Sequence, residues 1–197
     1  MQSSKTINTR EFIKYKFLNS LFFGISVGSI FVLYTPLEPS IYSIGGIILA
    51  LGMLGVAKVY TKIITIEYFY KISIFVELVV LFLIVYFLIF NYSYITAFLI
   101  YSGYQLTFVF GSYLVRAETI FLKKSKKLSF IDVAKQQGYL FGMIVSYLFY
   151  KLLELGFEVT NKQIQVYDIH ILLLFIQLIT LYFLYKAFVV KTNDKIE

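Results

Sequence analysis

Residues 75–90 read FVELVVLFLIVYFLIF, an apolar and aromatic run interrupted by a single glutamate, Glu77. A helix needs roughly 20 apolar residues to cross a hydrocarbon core of about 30 Å, and this run with its flanks supplies them. The rest of the 197-residue chain has the same character: 59% of it is hydrophobic and 20% aromatic, with a mean hydropathy of +0.80. A water-soluble domain cannot hide that much apolar surface, whereas lipid does not require it to be hidden. The fold class expected is therefore all-α, a polytopic membrane protein.

Working outward from that stretch, six segments have spanning length: Phe17–Thr35, Ile41–Ala57, Ile72–Asn91, Tyr94–Val115, Ala134–Glu154 and Ile169–Val189. The organisation expected is a leader over residues 1–16, a six-helix membrane domain over 17–189 and a tail over 190–197. Pro36 and Pro39, the only prolines, mark a tight turn between the first two spans. No cleavable signal sequence is evident, since the polar leader carries Glu11 and no small-residue cleavage site follows it.

The net charge of +7 is distributed unevenly. With six spans, Lys151 and Lys162 fall on one side and every other basic residue on the opposite side. Basic residues gather on the cytoplasmic face, so both termini and the 116–135 segment are expected there, in a bacterial cytoplasmic (inner) membrane. This topology and attraction to anionic headgroups account for the KKSKK run at 123–127, and no nucleic-acid partner is expected. Residues 123–138 read as an amphipathic helix lying on the bilayer, with Phe130, Ile131 and Val133 inward.

The absence of cysteine and the single histidine, His170, leave no donors for the usual metal sites, and no cofactor is expected. His170 follows Asp168 at the start of the sixth span and is expected at the interface; Lys151 and Glu154 are spaced to pair on one helical face.

Close helix contacts in lipid rely on small residues. The first span has Gly24 and Gly28; the second has Gly45, Gly46, Ala50, Gly52 and Gly55; the fifth has Gly138, Gly142 and Ser146 at a period of four. For the first span the expectation is contact within one bundle. For Gly46, Ala50, Gly138, Gly142 and Ser146 two readings stand, contacts within one bundle or an interface between two copies.

Polar residues within spans are functional candidates. Ser26, Tyr34, Tyr101, Tyr104 and Gln105 are expected to line a cavity between the first and fourth spans or, alternatively, to bond helices together. Gln177 lies near the middle of the sixth span. Counting from a helix start near Lys71, Glu77 would sit about 9 Å from the cytoplasmic end. At that level Arg116 and Gln137 are the expected partners, as a structural ion pair or a gate, with proton coupling through Glu77 as a third reading.

Six spans, both ends on one side and a basic segment after the fourth span resemble half of a major facilitator superfamily transporter. Such a transporter has two six-helix halves in the same orientation. The resemblance implies that a second copy, or a second six-helix half, completes the molecule, with second and fifth helices meeting across the halves. It also implies a solute cavity lined by the first and fourth helices. Local motifs depart from the family. Gly55 matches the first position of its loop between helices two and three, but Val59 and Tyr60 stand where Asp-Arg is expected, and Lys62 where a second glycine is. The gating ion pair of that loop is therefore not carried over.

The motifs of rhomboid proteases (Gly-x-Ser-Gly), aquaporins (paired Asn-Pro-Ala) and alcohol phosphatidyl transferases (an aspartate-rich motif) do not occur. No grouping of nucleophile and base points to an enzyme. The expectation is a half-sized carrier for a small neutral, aromatic or amphiphilic solute, working as a dimer by alternating access. The alternatives are a non-transporting membrane subunit or scaffold, or the membrane domain of an ATP-driven transporter.

Overall fold

The computed structural model describes residues 4–90 and 92–191. Residues 1–3, 91 and 192–197 lie outside the described residues; they include the start of the expected leader, the end of the expected third span and most of the expected tail.

Helix starts are set by local chemistry. Asn8 caps α1 (Thr9–Leu33) by accepting from the backbone N–H groups of Arg10 and Glu11. Pro39 opens α2 (Pro39–Lys58) at a position where its missing donor costs nothing. A single turn, α3 (Tyr60–Ile63), leads to Thr65, whose hydroxyl accepts from Tyr68 N–H and caps α4 (Ile66–Ile89). Ser93 caps α5 (Tyr94–Val109) and Asn161 caps α8 (Lys162–Ala187). The fourth span bends at Phe110 and continues as α6 (Gly111–Leu122), so it is one crossing in two pieces. Lys123 takes a positive φ of 46° and turns the chain directly into the 32-residue α7 (Ser125–Gly156).

That turn corrects the expected membrane-surface helix. Residues 116–135 belong to the end of α6 and the start of α7 and are not a separate amphipathic element. Ile131 is fully buried, whereas Phe130 and Val133 are exposed. The leader is also structural. Phe12 and Tyr15 are buried in a terminal cluster with Phe69, Tyr113, Leu184 and Phe188. Beside that cluster β1 (Ser4–Ile7) pairs antiparallel with β2 (Phe188–Lys191), so the two terminal strands meet at one end of the bundle. Among the described residues six helices are long and apolar enough to cross a membrane, as the hydropathy of the sequence implies.

The main helix pairings are α1 with α7, α1 with α8, α8 with α4, α4 with α5, and α5 with α2. In span numbers these are 1–5, 1–6, 6–3, 3–4 and 4–2. Exchanging the first three spans for the last three maps this set onto itself. Because successive crossings run in opposite directions, the exchange relates helices of opposite orientation. The two most exposed spans, α2 and α7, are each other's equivalents under it and stand at the two edges of the bundle.

Glycine decides how closely the edge helices approach. Along α1 and α7, Phe17 meets Gly138, Leu21 and Gly24 meet Gly142, and Gly28 faces Ser146 and Tyr150, so the two helices run parallel with their backbones in contact. A Cβ on Gly142 would meet the Leu21 carbonyl and lie 2.9 Å from Gly24 Cα. Ser146 Oγ donates to the Ile25 carbonyl at 3.0 Å across the same seam. Of the two readings of the small residues, Gly138, Gly142 and Ser146 thus form a contact within one chain, and that face of α7 is occupied. A Cβ added at Gly46 would meet nothing within 4 Å, and Gly46 and Ala50 are exposed on the free side of α2.

Candidate functional site

Two polar clusters and one cavity contain the chemistry-bearing side chains. Glu77 is 1% exposed, and its carboxylate accepts from Tyr15 Oη, Asn19 Nδ2 and Gln177 Nε2, each at 2.8 Å. Gln177 Nε2 also donates to the Glu77 backbone carbonyl at 2.9 Å. The cluster joins α1, α4 and α8, the three helices at the centre of the bundle. Interhelical bonds of this kind contribute about 1 kcal/mol each in lipid, and Gln177 Oε1 is left buried without a partner.

The expected cluster of Glu77, Arg116 and Gln137 does not form. Arg116 and Gln137 are exposed, and neither has an ion pair among the described residues. The reason is depth. The helix starts at Ile66 rather than near Lys71. Glu77 therefore lies about 16 Å in, level with Gln177, which is about 15 Å from the same end of α8. A carboxylate does stand at mid-depth after all, enclosed by its partners.

A second buried carboxylate, Glu118, was not anticipated because its position was assigned to a loop. It pairs with Lys16 on α1 at 2.8 Å and with Lys135 on α7. Lys135 also reaches Asp132 at 3.4 Å. With both clusters present, α1 supplies Tyr15, Lys16 and Asn19 from adjacent turns and acts as the hub. The Thr65 cap with Glu67 in the first turn was the sequence signal that could have placed the start of α4 correctly.

The expected cavity between the first and fourth spans is also revised. Ser26 is buried, with its hydroxyl turned back to the Phe23 carbonyl, and Tyr104 is packed in the central core. Tyr101 and Gln105 do line a cavity, of about 230 Å3, but α2 forms its opposite wall. Ile41, Ile44, Ile48 and Leu49 face Phe98, Ser102, Leu106 and Val109 across it. Tyr34 stands beside it in a ring cluster, edge-on to Tyr101 at 5.5 Å, with Tyr42 5.3 Å from Tyr101. The Ser26 hydroxyl predicted to reach this space does not, and the residues that line it come from α2 and α5.

Two smaller expectations divide. Lys151 and Glu154 pair at 2.7 Å. His170 is not interfacial: it is buried, Nδ1 lies 2.6 Å from the Val166 carbonyl, and its ring rests 4.3 Å from that of Phe87. Among the described residues no group of His, Cys, Asp and Glu could hold a metal ion.

No family model, curated protein or solved structure matches this chain.

Proposed function

We propose that this chain is half of a membrane carrier, completed by a second copy of itself, that moves a small uncharged solute by alternating access. The observation that carries the reading is the packing that maps onto itself when spans one to three are exchanged for spans four to six. Inverted repeats of this kind underlie secondary transporters, where two structurally equivalent sets of helices rock about a central site. It supports the resemblance to a major facilitator half drawn from the sequence. The unpartnered faces of α2 and α7 support the second copy, since these equivalent edge helices are where that arrangement joins its halves. The solute is uncharged because the mid-depth carboxylate is enclosed and lines no cavity, and the described cavity presents only amide and hydroxyl groups.

A static subunit or scaffold is the second reading. It is favoured by the three donors held on Glu77 and the two lysines paired with Glu118, which resemble a lock more than a moving part. Disulfide crosslinking in membranes separates the two, on a chain that is naturally free of cysteine. Ala50→Cys on α2 and Ile144→Cys on the exposed side of α7 are placed in separate, differently tagged copies. The carrier reading predicts an efficient crosslink between copies. A protein that is monomeric in mild detergent and gives no crosslink between copies overturns it in favour of the scaffold.

A further inference from the structure

The pairing of α2 with α5 is the equivalent, under the three-for-three exchange, of the pairing of α1 with α7. Both run parallel, yet they are built differently. Glycines on both α1 and α7 bring those backbones together along the whole seam. On α2 and α5 glycine stands on α2 alone, with Gly45 against the Tyr101 ring and Gly52 against Val109, two helical turns apart. Between these struts the helices stand away from each other, and that gap is the 230 Å3 cavity.

Its lining is apolar except at Tyr101, Ser102 and Gln105. Tyr101 is already committed, donating to the Tyr42 carbonyl at 3.3 Å. Gln105 is not: its Oε1 is buried without any hydrogen-bond partner. An acceptor held out of water with nothing to accept from is costly, by an amount that a ligand donor would recover. An apolar cavity of about 150 Å3 holds a benzene ring, so this larger one has room for a one- or two-ring molecule. The rim residues Ile44, Ile48, Phe98 and Leu106 are exposed on the lipid-facing side, so the opening leads to the bilayer.

We infer that the gap between α2 and α5 is a binding site for a compact aromatic or terpenoid-like molecule carrying one hydroxyl or N–H donor, which enters from the bilayer and is anchored by Gln105. The inference deepens the carrier reading by naming the class of solute, and binding is measurable without transport.

The test uses purified protein in nanodiscs, with 2-naphthol as probe and 2-methoxynaphthalene as the matched control that lacks the donor. The chain has 18 tyrosines and no tryptophan, so energy transfer from tyrosine to the naphthyl ring reports binding, while partition into lipid appears as a non-saturating slope. Saturable binding of 2-naphthol, about tenfold tighter than that of the methyl ether, is expected from one recovered hydrogen bond. Gln105→Leu abolishes that preference while leaving the ether unaffected, and Ile48→Phe, which fills the gap, weakens both. Equal affinity of the two probes for the wild type, or partition without saturation, overturns the assignment. If the probe fails to bind while copies still crosslink through α2 and α7, the cavity assignment falls and the carrier reading stands. If binding holds without a crosslink, the site stands alone.

Discussion

At the scale of single residues, Glu77 and Gln177 allow a graded test of what a buried carboxylate does in this bundle. Tyr15, Asn19 and Gln177 all donate to it. Gln177 has an idle oxygen on the same amide. In Glu77→Gln the new side-chain oxygen keeps the Tyr15 and Asn19 bonds, and Gln177 turns over to offer its oxygen to the new NH2 group. The expected cost is about 1 kcal/mol, mainly the bond from Gln177 to the backbone carbonyl. Glu77→Leu removes the acceptor altogether, leaves Tyr15 and Asn19 unpaired, and costs about 3 kcal/mol or more. Thermal unfolding in detergent ranks the two. Equal loss for both would mean that charge, not hydrogen bonding, is what the position supplies. The sequence allowed Glu77 and Gln177 to be singled out separately, as polar atoms in apolar runs. It did not allow them to be paired, because pairing needs each helix start to within a turn, and the start of α4 is fixed by the Thr65 cap rather than by hydropathy.

At the scale of elements, the contrast between the two sides of the bundle is a contrast between glycines that touch and glycines that do not. Gly142→Leu drives a side chain into the Leu21 carbonyl and the Gly24 Cα, neither of which can move without shifting α1. A loss of about 3 kcal/mol or more is expected, as for severe overpacking, read as a lowered unfolding temperature and loss of the monodisperse peak in size-exclusion chromatography. At Gly46 an added Cβ meets nothing within 4 Å, so Gly46→Leu starts into open space. Its stability should be unchanged or slightly raised by helix propensity, while the crosslink between Ala50→Cys and Ile144→Cys on separate copies weakens if a second chain docks there. The period-four ladder of Gly138, Gly142 and Ser146 was readable as a close-packing face. Its partner was not, since glycine spacing records that a backbone comes near without recording whose. The membrane-surface helix was misread for a related reason. Lysine-rich sequence looks alike whether it lies on a bilayer or forms helix ends that project past it, as the 32-residue α7 does at about 48 Å.

At the scale of the whole molecule, hydropathy gave the number of spans directly, because lipid exposes apolar surface that a soluble fold would bury. The strand pair β1–β2 was invisible to it, being only four residues a side. That pair nevertheless fixes a testable property. The two terminal strands lie at the same end of the bundle, and the charge asymmetry of the sequence predicts that this end faces the cytoplasm. Epitope tags at residues 1 and 197 should resist protease in intact spheroplasts and be cleaved together in inverted vesicles. Cleavage of one tag in each preparation would contradict the clasp, and cleavage of both only in spheroplasts would reverse the orientation.

The hub position of α1 bears on the order in which the chain is made. Helix α1, made well before its neighbours, carries Gly24, Gly28, Tyr15, Lys16 and Asn19, yet it packs against α7 and α8, which follow it by more than 90 residues. Lys16 waits for Glu118 and Lys135, and Asn8 accepts its place only when the Ala187 carbonyl receives its N–H at 2.8 Å. Contacts so distant along the chain form late and slowly. Until α7 and α8 have been made, the nascent protein therefore holds a polar, glycine-notched helix in the membrane without its mates, and this is the interval in which an insertase or membrane chaperone has something to hold and a quality-control protease has something to recognise.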